Sequence, residues 1–381
     1  MMEDDIVITG LGMASSLHGV VTACAAARAG IVRPRELESF ADVDEDTVEL
    51  APTFGHPHPY CTEGFQGAAR LARLGEAALA DLLEYSGLQR GELAKSAFFL
   101  NLGSSYLSAT STQDPATHNG PPRSTPTTTG LNEAGPALES VLTLVMRTSG
   151  LNFPQQYRAI RGGDHYGSIQ AVQEASRLLR TRAVERCLVG GIDCLLTRDQ
   201  LETLSELRLL KTANSPAGLM PGEAAAFFLL ELRTSARRRG ARMEAIMGPT
   251  FHAREEQHRF SGQPSTGLAL SEVMEHAQAT LGPEKAGLMI HNLNGDPWRS
   301  MEWGSALVRL TPRHSVREVP VWVPAESFGE TGAATAAIGV CMGTRAFARS
   351  HAGTRHILVA MSSYDGNKAC LVLKDARLPG A

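Results

Sequence analysis

Nothing in this chain pairs cysteines. Cys24, Cys61, Cys187, Cys194, Cys341 and Cys370 are scattered with no CxxC spacing, which argues against a disulfide framework and against a structural zinc site. Long apolar runs are missing too. No stretch approaches the ~20 residues that span a bilayer, and the short acidic start MMEDDIVITG has no signal-peptide layout. An excess of charge of one sign is also absent: 36 Lys and Arg stand against 40 Asp and Glu, interspersed, for a formal net charge of −4. That leaves no electrostatic footprint for nucleic acid. The expectation is a cytoplasmic protein with no membrane or nucleic-acid partner, no metal and no cofactor.

What is present is a globular composition, 43% hydrophobic and 20% charged over 381 residues. The length suggests one large domain or two fused halves. Strand and helix signals alternate. IVITGLG (6–12) reads as a buried strand and GAARLARLGEAALADLLEYSG (67–87) as a helix with a glycine stop. SAFFLNLGSS (96–105) and ERCLVGGIDCLL (185–196) read as buried strands, the second followed by a turn. Residues 104–131, rich in Ser, Thr, Pro and Gly, read as a loop that is either functional or mobile. A helix is expected over 133–148, a short strand near 157–161 and a helix over 166–180. EAAAFFLLEL (223–232) and ARMEAIMGPT (241–250) suggest two hairpin strands, with RRRGAR (237–242) as a solvated turn between them. Helix–strand alternation continues to the end and predicts helices around mostly buried sheets.

Several stretches together resemble the β-ketoacyl synthases, condensing enzymes of the thiolase superfamily. They are IVITGLGMASSLH, GSIQAVQEASRLLRTRAVERCLVGGID, MPGEAAAFFLLELRTSARRRGARMEAIMG, SFGETGAATAAIGV and MSSYDGNKACLVLK, and they run in the family's order along nearly the whole chain. The resemblance implies an α/β fold of five layers, α-β-α-β-α, built from two similar halves. The halves are expected at 1–220 and 221–381. It also implies dimerisation through the strand near 157–162.

A condensing enzyme of this family uses a cysteine at a helix N-terminus, where the dipole favours thiolate. Two histidines then donate hydrogen bonds to the enolate formed on decarboxylation. Counting back from AVQEA (171–175) without a gap, the cysteine position falls on His165. An acyl-imidazole would hydrolyse where a thioester survives. The helix N-terminus also disfavours imidazolium, so His165 is expected to be neutral, either packed or acting as a general base. The first family histidine matches His291, and Glu302 keeps an acidic residue eleven positions downstream. The second falls on Glu330, which cannot donate unless protonated. SFGE (327–330) has capping-box spacing, which offers Glu330 a structural role. The family's lysine falls on Ala325, its Gly-Gly turn on Gly190 and Gly191, and its closing turn on Tyr364, Asp365 and Gly366.

Two further constellations stand out. HPHPYC (56–61) reads as a stiff loop more readily than a metal clip. Asp164, His165 and Ser168 form a possible relay, although neighbours along a chain seldom face each other. The first reading is therefore a catalytically degenerate ketosynthase-like subunit serving as a non-condensing partner, scaffold or adaptor. Chain-length-factor subunits, which lack the cysteine, are the precedent the resemblance supplies, together with thiolase-like proteins encoded beside type VI secretion effectors. The partners implied are a related subunit in a homodimer or heterodimer, an acyl carrier protein, or a secreted protein. The second reading is an acyltransferase or hydrolase on acyl-carrier or coenzyme A thioesters, with His165 as base and His291 polarising the carbonyl. An open channel to His165 would favour the enzyme; a channel filled by Tyr166, Phe328 or Tyr364 would favour the scaffold.

Overall fold

The first half of the chain, in a computed structural model that describes residues 5–43, 48–103, 136–212, 215–310, 316 and 318–377, runs from β1 to β7. The 104–131 segment lies outside those residues, as does the start of the helix expected from 133. The elements are β1 (Ile6–Ser15), α1 (Val20–Arg28), β2 (Arg35–Val43), β3 (Leu50–Gly55), α2 (Pro59–Thr62), α3 (Gly67–Ser86), β4 (Ser96–Leu102), α4 (Pro136–Ser149), β5 (Arg158–Arg161), α5 (Gly167–Arg180), β6 (Arg186–Cys194), α6 (Arg198–Glu206) and β7 (Glu223–Leu232). The second half comprises α7 (Arg233–Arg238), β8 (Ala245–Arg254), α8 (Leu268–Ala279), β9 (Leu288–His291), α9 (Pro297–Arg309), β10 (Val321–Trp322), α10 (Ala325–Phe328), α11 (Thr335–Ala348), β11 (His356–Ser362) and β12 (Asn367–Asp375).

Ten strands hydrogen-bond in the order β10-β9-β11-β12-β8-β1-β7-β6-β4-β5. The order contains a duplication. β1, β4, β5, β6 and β7 lie as third, second, fourth, fifth, first, and so do β8 to β12. In each set the second strand runs parallel to the third and fourth, and the fifth is antiparallel to its neighbours. The sets join where Ile6–Ile8 of β1 face Ala245–Met247 of β8. The expected hairpin of 223–250 therefore does not form: β1 inserts between β7 and β8, because each strand closes its own set. β7 pairs with β6 and β1 and so belongs to the first set in the sheet order.

Three apolar clusters define five layers. α3 and α4 cover the outer face of the first set through Leu74, Leu79, Leu82 and Val145. α8 and α9 cover the outer face of the second through Val273, Met274 and Ala306. Between the sets, α5 and α11 share one core with strands of both. α11 has solvent on neither side, and every residue from Thr335 to Phe347 is buried. Its sequence, TAAIGVCMGTRAFA, is accordingly mostly small and apolar, with Arg345 in its last turn. β4, β7 and β11 are buried along their full lengths, which explains why they read as unbroken runs and not as alternation. None of the helices among the described residues is long and apolar enough to cross a membrane.

Two local expectations are corrected. Gly190 and Gly191 sit within β6 and make no turn. A Cβ at Gly190 would meet Phe227 Cδ1 and Ala226 O at 2.2 Å, and one at Gly191 would meet Ala333 O at 2.1 Å. They are glycines because neighbouring backbone passes too close for a side chain. RRRGAR is likewise no simple solvated turn. Its start is helical, Arg239 Nη2 lies 2.5 Å from the buried carboxylate of Glu231, and Arg242 Nε lies 2.9 Å from that of Glu244.

Candidate functional site

The turn between β5 and α5 carries Asp164 and His165. Asn101, on the last turn of neighbouring β4, fixes it: its Nδ2 donates to Asp164 O (2.9 Å) and Ala333 O (3.0 Å), and its Oδ1 accepts from Gly163 N (3.1 Å). The amide sits so close that a Cβ at Gly167 would meet Asn101 Oδ1 at 2.1 Å. This clamp aims the His165 ring into the interior, where its exposure is 0%.

Glu330 approaches from the opposite side, on the loop between α10 and α11. Its backbone is tied to the 220–222 segment, with Glu330 N donating to Met220 O (2.7 Å) and Gly222 N donating to Glu330 O (2.8 Å). Its carboxylate is fully engaged. Oε1 lies 2.8 Å from His165 Nε2 and accepts from Gly332 N at 2.9 Å. Oε2 accepts from Asn294 Nδ2 at 2.6 Å and faces Arg299 Nη1 at 3.4 Å. On the far side of the ring, His165 Nδ1 lies 2.6 Å from Asp164 Oδ1. That contact is an ion pair by distance, without the angle of a hydrogen bond.

Burial alone would push the His165 pKa down. The carboxylates of Asp164 and Glu330 more than offset it, against Arg299, and raise it to about 9. His165 is therefore a cation at neutral pH, contrary to the neutral imidazole expected from the helix N-terminus. The helix dipole is the weaker field beside two carboxylates in contact. Burial pushes Glu330 up, and the charge and hydrogen bond of His165, then Arg299, bring it down to about 2. The capping box is absent as well: Ser327 is buried within α10, and Glu330 serves His165 instead.

The network extends through groups with no sequence signature. Arg299, wholly buried on α9, donates to Asn292 O at 2.7 Å, and its guanidinium carbon lies 4.2 Å from the Tyr364 ring centre. Asn294 Nδ2 also reaches Tyr364 Oη at 3.0 Å, and the Tyr364 and His165 rings stand nearly perpendicular at 6.2 Å between centres. Arg299 and His165 thus balance Glu330 and Asp164, two charges against two. Phe328 and Tyr364 are 0% and 1% exposed, while Tyr166 keeps partial exposure. The Asp365 carboxylate turns back onto its own loop, accepting from Asn367 N (3.1 Å) and Asn367 Nδ2 (2.6 Å).

Of the five candidate residues, Asp164, His165 and Glu330 come together. His291, at the end of β9, is fully buried beside them, but neither ring nitrogen has a hydrogen-bond partner among the described residues. Its ring packs 4.5 Å from that of Trp303. Burial first, then the positive charges of Arg299, Lys368 and His165, push its pKa well below 6.5. Ser168 is buried with no hydrogen-bond partner for Oγ among the described residues, so they assemble no Asp–His–Ser relay. Glu302 makes a separate buried pair with Lys368 (2.7 Å), supported by Ser265 and Ser362. In the HPHPYC loop, His56 is buried near Gly222 and His58 packs edge-on against His18 at 5.7 Å.

Chemically, this centre can hold charge but has little means of moving it. Both His165 nitrogens face carboxylates, which favours a proton on the ring and disfavours a role as base or nucleophile. Glu330 accepts on both oxygens and is shielded from solvent.

No protein-family model matches the chain, and no curated protein sequence does. Solved structures do share its fold. The oxazolomycin ketosynthase domain OzmH KS7 of Streptomyces albus JA3453 superposes with a TM-score of 0.74 at 16% identity, over 99% of this chain and 75% of that one. A type II polyketide synthase ketosynthase, solved in complex with its acyl-carrier protein, gives 0.75 at 13%, over 98% and 100%. The ishigamide ketosynthase/chain length factor gives 0.71 at 18%, over 98% and 99%. The architecture is thus the thiolase-like ketosynthase fold.

Proposed function

We propose that this chain is a non-condensing protein of the ketosynthase fold, a cytoplasmic partner, scaffold or adaptor subunit whose reaction centre has become a buried charge network. One observation carries the reading: the residue at the expected nucleophile position, His165, is locked between two carboxylates in the core. A condensing centre needs a thiolate and donors converging on open space. Here Glu330 stands where a donor is required, and Phe328 and Tyr364 occupy the interior beside it. The acyltransferase or hydrolase alternative has less support, because an imidazolium with both nitrogens engaged cannot accept a proton.

The likeness to a ketosynthase/chain length factor and to a ketosynthase held with an acyl-carrier protein supports a related subunit or an acyl carrier protein as partner. β5 ends the sheet order with one edge unpaired among the described residues, an edge through which a second subunit, identical or related, would add a strand.

The test incubates the pure chain, and a His165→Cys variant, with isotopically labelled malonyl and acyl thioesters. Neither is expected to yield a β-keto product. The variant thiol would face two carboxylates, which disfavour thiolate. Purification from the native host should recover a ketosynthase-fold subunit or an acyl carrier protein with the chain. A β-keto product from the unmodified chain overturns the proposal.

A further inference from the structure

A cavity of about 500 Å3 opens between α1, α11 and the 321–327 segment, away from the His165 network. Small-molecule sites occupy roughly 300–1,000 Å3. Trp322 and Met342 give this cavity an apolar wall, and Arg28, Arg345 and Arg349 bring three guanidinium groups to it against the single carboxylate of Glu326. Arg28 and Arg349 are exposed, and their side chains make no hydrogen bond or ion pair among the described residues. The Arg28 guanidinium instead lies 5.9 Å from the Trp322 ring centre. Arg345 is 7% exposed. Its Nη1 reaches Tyr85 Oη at 2.7 Å and lies 3.8 Å from Glu244, while its buried Nε has no hydrogen-bond partner.

These arginines sit in the last turns of α1 and α11 or just beyond, where a cation complements the helix dipole. Arg345 is held at the cavity base by Tyr85 and Glu244, which leaves the exposed Arg28 and Arg349 as the guanidinium groups a ligand would meet first. Planar guanidinium groups match the oxygens of phosphate and carboxylate. We propose that the cavity binds an amphipathic oxyanion: an acyl or aromatic body against Trp322 and Met342, and a phosphate or carboxylate among the three arginines. The inference is independent of the His165 centre, although α10, which carries Glu326, ends at Phe328, shortly before Glu330.

The test titrates the chain with octyl phosphate, octanoate and inorganic phosphate, by calorimetry and by tryptophan fluorescence. An amphiphile should bind saturably and perturb the fluorescence. Trp322→Phe should remove the fluorescence change while the heat persists. The Arg28→Ala/Arg349→Ala variant alters two exposed side chains, and a melting curve checks its folding. It should bind about tenfold or more weakly, in line with two lost charge-assisted contacts. Preference for octyl phosphate assigns the headgroup as phosphate, and preference for octanoate as carboxylate. No saturable heat from either amphiphile up to about 1 mM, undiminished binding in the double variant, or equal affinity for inorganic phosphate overturns the proposal.

Discussion

Glu330→Gln removes one charge from a buried set of four and changes almost no volume. In the native chain the carboxylate meets His165 Nε2 at 2.8 Å, Asn294 Nδ2 at 2.6 Å and Gly332 N at 2.9 Å, with Arg299 at 3.4 Å. All of these are donors. A glutamine has one oxygen to offer them, and its amide nitrogen must face another donor. Removing one partner of a buried ion pair costs about 3–5 kcal/mol. The proton affinity of His165 gives a second route to the figure. A pKa raised from 6.5 to about 9 by Asp164 and Glu330 together, at about 1.4 kcal/mol per tenfold change, corresponds to about 3 kcal/mol, of which Glu330 supplies a part. The lowered Glu330 pKa reports the same contact and is not added. Because the folded pKa is raised, this stability is fully present below pH 6.5 and is lost as pH rises through about 9. Urea unfolding of both proteins from pH 6 to 10 tests the reasoning. The variant should be about 3–5 kcal/mol less stable at pH 6, and the difference should shrink by about 1–2 kcal/mol towards pH 10, because Asp164 still raises the His165 pKa in the variant. A variant within 1 kcal/mol of native at pH 6, or a difference that does not change with pH, would refute the ion-pair account.

The Glu302–Lys368 pair is wholly buried, so Lys368→Met should strand the carboxylate and cost about 3–5 kcal/mol, while Lys368→Met with Glu302→Leu should recover most of it; chemical denaturation of the three proteins reads both. Gly191→Ala would set a Cβ 2.1 Å from Ala333 O, at the mouth of the Glu330 loop. It should destabilise by about 1–3 kcal/mol, and nuclear magnetic resonance should show the His165 ring signals shifted. Unchanged melting and unchanged signals would mean that β6 and the 330–334 loop are not in contact.

Much of the layout was readable along the chain because burial writes itself into composition. β4, β7 and β11 appear as apolar runs since both of their faces are covered, and α3 appears as a periodic helix since only one is. The identity of strand neighbours was not readable. β7 and β8 follow one another in sequence, yet β1 lies between them, since adjacency in a duplicated sheet depends on where each set closes. Glycines in β6 looked like a turn, because the residue type reports missing space without saying whether the chain bends or a neighbour intrudes.

The site divides along the same line. Sequence by itself determined that no cysteine stands near position 165, that Asp164 and His165 are neighbours, and that Glu330 lies far along the chain from both. Only the tertiary structure decided that Glu330 reaches His165, that Arg299 and Tyr364 close the ring around them, and that His291 stays outside the hydrogen-bonded set. That decision inverted the expected charge of His165. A protonation state belongs to the field at the ring, and that field is set by two carboxylates, one next in sequence but the other brought from 165 residues away, at distances that no spacing in the sequence encodes.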